Sequence, residues 1–270
     1  MLNLQQRLID LLLPYPYFIF FLSFCLTNAQ IENVKITYKA TLDNTEIIDK
    51  IINDSVSSYP KEIREEHLKI QLSKKPVYYN LYFNDNEALF NKDLSVKVKD
   101  IYILNPTELA SNGDRIYYSN SNTKEYLWMS DLITPGALIL LGQVKWEITS
   151  ETKKVGDYRC YKATSIMDKD QPSGNVYLEP VEAWFTKEIP TSFGPLKFHG
   201  LPGLILELTY NRIHDGRLTF SMEKIEFNHT GEKINKPKGT RDMTEKEYVA
   251  LINRLNDERI MRRLEKKTIN

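Results

Sequence analysis

Apolar and polar residues alternate along most of the chain, and the first clear instance sets Val34, Ile36, Tyr38 and Ala40 against Lys35, Thr37 and Lys39. A period of two with one apolar face predicts a strand that is covered on one side and wet on the other. The same pattern predicts strands over Val77 to Phe83, Val96 to Ile103, Arg115 to Tyr118, Glu125 to Met129, Val144 to Ile148, Tyr158 to Ile166, Val176 to Phe185, Leu204 to Tyr210 and Leu218 to Phe227. About ten strands suit one strongly curved sheet. Turn chemistry separates them, as in Asn112-Gly113-Asp114 and in Asp215-Gly216, which stands between two of these strands as a hairpin signal. Sequential neighbours are therefore expected to pair antiparallel.

Two segments change period. From Asn44 to Gln71, Ile47, Ile48, Ile51, Ile52 and Val56 recur at helical spacing behind Asp43 and Glu46, which have the spacing of a capping box. Ser58-Tyr59-Pro60 interrupts it, so a helical hairpin inserted after the first strand is expected. The second segment spans 242–265, where Thr244 and Glu247 form another capping box ahead of Tyr248, Leu251, Ile252 and Leu255, with fraying expected from Arg262 onward. Between the last strand and this helix, residues 231–241 are polar and basic with Pro237 and Gly239, and read as an exposed linker. The expected class is mainly β (α+β): a strongly curved antiparallel sheet or half-barrel, an inserted helical segment near the N-terminus and a C-terminal helix.

The N-terminus has a third character. Arg7 precedes an apolar run from Leu11 to Leu26, and Thr27-Asn28-Ala29 follows. That is the order of a secretory signal, so residues 1–29 are expected to be cleaved and 30–270 to fold as one domain. The run is shorter than the ~20 residues of a spanning helix and is broken by Pro14 and Pro16, which argues against a permanent anchor. Cys25 follows Phe24 rather than a small residue, so lipidation there is not expected. After cleavage Cys160 is the single cysteine, no intramolecular disulfide is possible, and the core must supply the stability. Sixteen tyrosines, eleven phenylalanines and three tryptophans offer large buried areas for that purpose. The 36 basic and 36 acidic residues balance, which gives no reason to expect a nucleic acid or other polyanion as partner.

The most distinctive stretch is Gly200-Leu201-Pro202-Gly203-Leu204-Ile205, preceded by Ala183-Trp184-Phe185-Thr186, Ile189-Pro190 and Gly194-Pro195. Leu-Pro-Gly-Leu suits a type II turn, with proline fixing φ and glycine accepting a positive φ, and the turn launches a core strand. The hexapeptide resembles the signature of the GLPGLI family of exported Gram-negative envelope proteins. The resemblance extends through Val155 to Thr164 and Tyr79 to Glu87. The family has no established catalytic residues to carry over, so the resemblance implies a location and a β fold rather than a reaction. The family's strand pattern is also similar to curved-sheet envelope proteins that cradle acyl chains. The segment Asn44 to Gln71 and the loop Asp168 to Pro180 are longer than the family's usual connections, and are placed to line or cover a groove.

Candidate chemistry is sparse. Cys160 and His199 would need an orienting group and an oxyanion hole to act as a nucleophilic pair, and neither is legible. A lone cysteine within a strand more often behaves as a small apolar residue. Alternation leaves its face open: Tyr158, Cys160 and Lys162 share one side, while Tyr161, Ala163 and Ser165 share the other. Burial of Cys160 is favoured, because an exposed thiol in an oxidising compartment invites unwanted disulfides. His67, His199, His214 and His229 are too dispersed for a metal site. Glu182 and Glu207 would need carboxyls about 5 to 10 Å apart to cleave glycosides. Gly200 and Gly203 do not make a phosphate loop, since Pro202 removes an amide donor and no helix follows.

These readings point to a non-catalytic envelope binding protein without a cofactor, cradling a lipid-like or other hydrophobic ligand, with Trp146, Trp184 and His199 as candidate groove-lining residues. Two other expectations stand beside it. One is an accessory protein docking onto an outer-membrane transporter or secreted peptidase; the other is a hydrolase with an unfamiliar polar cleft. An apolar cavity of several hundred Å³ would favour the ligand cradle.

Overall fold

A computed structural model describes residues 33–53, 60–95, 104–112, 115–130, 136–165, 180–212 and 215–268. The presumed signal segment, the expected strand over 96–103, the loop 168–179, His214 and the Gly113-Asp114 pair lie outside them. Twelve strands form one sheet: β1 (Val34–Asp43), β2 (Val77–Phe83), β3 (Glu87–Lys92), β4 (Ile116–Asn120), β5 (Glu125–Ser130), β6 (Ala137–Leu140), β7 (Glu147–Val155), β8 (Tyr158–Ser165), β9 (Val181–Thr186), β10 (Leu204–Arg212), β11 (Gly216–Glu226) and β12 (Arg241–Thr244). Their spatial order is β12-β6-β5-β4-β3-β2-β1-β11-β10-β9-β8-β7. The mainly β class stands, and every described pairing is antiparallel except β12 on β6.

The curvature follows from one connection. Strands β6 and β7 are ten positions apart in that order, about 48 Å on a flat sheet. Residues 141–146 join them, and such a link spans about 25 Å at most. The sheet must therefore curl until its two ends approach, although it does not close. Segment Val144 to Ile148, expected as a strand, is this link up to Trp146 and enters β7 only at Glu147.

Alternation sorts side chains as the sequence predicts. Val34, Ile36, Tyr38 and Ala40 are buried on the concave side, opposite Phe83, Leu81, Tyr79 and Val77 of β2. Phe90, Tyr117, Trp128, Phe185, Leu208 and Phe220 continue that surface across the sheet. Rings meet at favourable offsets, with Tyr79 stacked on Phe90 at 5.3 Å and Phe90 edge-on to Phe220 at 6.2 Å.

Helices α1 (Thr45–Asn53) and α2 (Lys61–Leu72) form the inserted helical segment. Asp43 accepts from the Thr45 amide and hydroxyl at the start of α1, and these bonds hold its carboxyl below the usual range. Buried Asn44 bonds Gln71 and Lys74, tying the base of the insert to β2. The short α3 (Pro106–Ala110) follows, capped by Asn105.

The expected linker at 231–241 is exposed except at Ile234 and Pro237, which are partly buried, and its last residue belongs to a strand. Arg241 to Thr244 form β12, so the last helix, α4 (Glu245–Thr268), begins later and runs further than the expected 242–265, past the point of expected fraying. The segment before β12 is also seated. From β11 it crosses the convex side, where Ile234 packs on a cluster of Leu89, Tyr118, Leu127 and Leu138 and Lys236 pairs with Glu125 at 2.6 Å. An apolar side chain among polar ones anchors it, which period counting misses. Thr244 and Glu247 form the expected capping box, with the Thr244 amide donating to Glu247 Oε2 at 2.7 Å and the Glu247 amide to Thr244 Oγ1 at 3.2 Å.

Candidate functional site

The signature residues lie between β9 and β10, on a segment that turns back into the concave side of the sheet. Its amides are satisfied by its own backbone: Gly200 donates to Ser192 O, Ile205 to Phe193 O and Leu204 to Ile189 O. That frees its apolar side chains to fill the curl. Phe193, Phe198, Leu201, Leu204, Ile205 and Leu206 are all buried. Phe193 meets Phe83 of β2 at 6.1 Å and Phe198 meets Tyr210 of β10 at 5.9 Å. Tyr38 donates its hydroxyl to Ile205 O at 2.5 Å, and burial pushes its phenol pKa upward.

The expected type II turn at Leu201-Pro202-Gly203-Leu204 does not form. Leu204 N bonds Ile189 rather than Leu201, and Gly203 is nearly extended at φ 159°. Glycine is required there by proximity, since a Cβ would lie 2.1 Å from Thr186 O. At Gly194 a Cβ would lie 2.6 Å from Ile205 Cδ1 and 2.7 Å from Phe198 O. The segment lies so close to β9, to β10 and to itself that side chains at these points have no room.

Trp146 and His199 come together beneath the link 141–146, with Trp146 Nε1 donating to His199 O at 2.8 Å. The His199 ring lies flat on Tyr126 of β5, centroids 3.4 Å apart, and is 2% exposed. Neither ring nitrogen has a hydrogen-bond partner of full geometry among the described residues. Burial pushes its pKa down to about 4, against a smaller opposing pull from the Gly142 backbone, so the ring is neutral near pH 7.

Trp184 is not with them. It pairs with Lys162 and Glu207 on the convex face, while Phe185 takes the concave one. Lys153 sits 4.4 Å from its ring centroid and bonds Glu207 at 2.6 Å; Lys162 bridges Glu151 and Glu182. This half-exposed lattice contributes little stability per pair. Glu182 and Glu207 thus sit on the convex face, each beside its own lysine. Cys160 is fully buried on the same side of β8, and burial pushes its thiol up to about 11, away from reactivity. It does not meet His199.

A cleft of about 70 Å³ opens where the signature segment, β4, β5 and α4 meet. Arg115 lies 3.9 Å above the Trp128 ring, and Trp128 meets Tyr248 of α4 edge-on at 4.9 Å. Lys197 reaches Glu245 at 3.3 Å, both sheltered. None of these residues was singled out as functional from sequence. Trp128 reads as an ordinary strand aromatic until the register sets it beside Tyr117, and Lys197 and Glu245 are brought together only by the fold. A second cleft of about 180 Å³ between α1 and the β10–β11 turn is lined by polar residues such as Asp43, Lys50 and Arg217.

Residues 174–207, which include β9 and the hexapeptide, match the model of a protein family of unknown function, Porph_ging. No curated protein matches the chain significantly. Two solved structures of PNGF-II, in C2 and P21 space groups, are similar at 13% identity, with TM-scores of 0.48 and 0.47 and 83% and 82% of this chain covered. This chain spans 33% of the length of each, and a likeness at that level carries no argument about activity.

Proposed function

We propose that the chain is a non-catalytic, exported cell-envelope protein of the GLPGLI type that engages its partner at its surface, as an accessory protein does, instead of cradling a lipid. The supporting observation is the filled curl of the sheet. Phe193, Phe198 and Leu201 of the signature segment occupy the concave side that a hydrophobic ligand would use. A lipid could enter only by displacing side chains that are already close-packed. Among the described residues, the clefts at α4 and at α1, of about 70 and 180 Å³, fall below the several hundred Å³ that enclose a ligand of drug size. The segment 141–146 does not act as a lid over a free groove in this reading; it clamps the signature segment through Trp146.

Native mass spectrometry of protein purified from its own envelope tests this reading. The mass expected is that of the chain starting near Gln30, with no bound ligand. A stoichiometric acyl or lipid adduct that survives purification would overturn the surface-docking reading in favour of the cradle.

A further inference from the structure

The geometry points to a carboxylate-binding site at the cleft between the signature segment and α4, built to receive one acidic side chain of a partner protein, with Arg115 as its principal contact. The identity of that occupant rests on the surface-docking reading; the affinity of the cleft for a carboxylate does not.

The argument begins with charge. The cleft holds two cations, Arg115 and Lys197, and one anion, Glu245. Lys197 and Glu245 are paired at 3.3 Å with 14% and 19% of their side-chain surfaces exposed, which leaves one net positive charge among the described residues that line the cleft. Arg115 has no carboxylate partner among the described residues; its guanidinium carbon lies 3.9 Å from the centroid of the Trp128 ring. A guanidinium packed against an aromatic ring keeps N–H donors at its edge for an anion. A planar fork held in one orientation suits a planar carboxylate, which accepts two parallel bonds.

Size and walls narrow the class further. About 70 Å³ accommodates a carboxylate with one or two methylenes, the length of an aspartate or glutamate side chain. Tyr117, Trp128 and Tyr248 supply an apolar surround for such a stem. The nearby Glu245 opposes a second negative charge, so a monoanion is preferred to a phosphate dianion. It would also repel a carboxylate that approached from the Lys197 side, which directs the ligand to Arg115. The site is distinct from the capping box of α4, whose amide at position 247 is already taken by Thr244.

The probes are acetate and propionate, titrated into the mature protein at constant ionic strength with chloride as the balancing ion. The arginine Nε–H and tryptophan Nε1–H resonances are followed by NMR. Saturable shifts of the Arg115 and Trp128 signals are expected, with those of Trp184, on the opposite face, unmoved. Arg115→Gln should weaken binding about tenfold or more. Arg115→Lys keeps the charge, loses the fork, and should be intermediate; it also serves as the test if the glutamine variant does not fold. Shifts that fail to saturate, equal affinity in Arg115→Gln, tighter binding of inorganic phosphate than of acetate, or binding of tetramethylammonium in place of acetate would each overturn the site. None of these results depends on whether lipid is found on the purified protein, so the failure of one reading is distinguishable from failure of the other.

Discussion

Gly203 carries the tightest steric demand in the signature. A methyl group there would sit 2.1 Å from Thr186 O, and that atom is backbone in the adjoining strand, so relief requires β9 and β10 to separate. Gly203→Ala is expected to cost about 3 kcal/mol or more, seen as a large fall in the denaturant midpoint with an unchanged slope. An unchanged midpoint would show that the glycine is not needed for close approach. His199 makes the opposite kind of prediction. Its folded pKa, about 4, lies below the ordinary value of 6.5, so its contribution is fully present above pH 6.5 and is lost as pH falls toward 4. His199→Phe keeps a flat ring on Tyr126 and removes two nitrogens that have no partner of full geometry among the described residues. Between pH 7.5 and 5 the parent should lose on the order of 2 kcal/mol more than this variant, measured by denaturation at each pH. Equal losses would mean that His199 does not titrate with unfolding. The sequence identified Gly203 and His199 as residues of interest, but not why. The turn explanation for Gly203 was local, whereas the constraint comes from a strand seventeen positions back, at Thr186.

Elements were legible where one face is wet and obscure where it is not. β1 and β11 alternate cleanly and were found with nearly their true bounds. β3 is Glu-Ala-Leu-Phe-Asn-Lys, buried at Ala88, Leu89 and Phe90 because the crossing segment covers the face that would otherwise be exposed, and its short apolar run gives no period. β12 escapes for another reason: Arg-Asp-Met-Thr is polar, and it becomes a strand only by pairing with the β6 edge. The crossing segment itself depends on one apolar grip. Ile234→Ser should cost about 1 kcal/mol or somewhat more. Because this segment carries β12 to β6, the amides of Arg241 to Thr244 should exchange faster while those of β1 and β11 stay protected. Uniform acceleration across the sheet would show that Ile234 supports the whole fold instead of this one element.

At the scale of the molecule, the curved sheet was legible in strand number and aromatic content, but its filled interior was not. Composition cannot distinguish aromatic residues that line a cavity from those that fill it, and Phe193 and Phe198 belong to a stretch whose prolines and glycines read as loop. The cleft at Arg115 was hidden for the same reason, since its cations and rings come from five separate places in the sequence. The pairing of β1 also has a consequence for the timing of synthesis. β1 lies mid-sheet, between β2 and β11, with Lys35 opposite Glu226. A ribosome adds about 5 to 20 residues per second, so β1 waits on the order of ten seconds or more before its second neighbour exists. Until then the strand has a free edge, the β1–β2 side of the sheet has no β11 to bridge it to the β7–β10 side, and the signature segment has only half of the wall it packs against. A strand whose second neighbour is made so much later keeps one hydrogen-bonding edge open through that whole interval, an edge on which another chain could pair in its place.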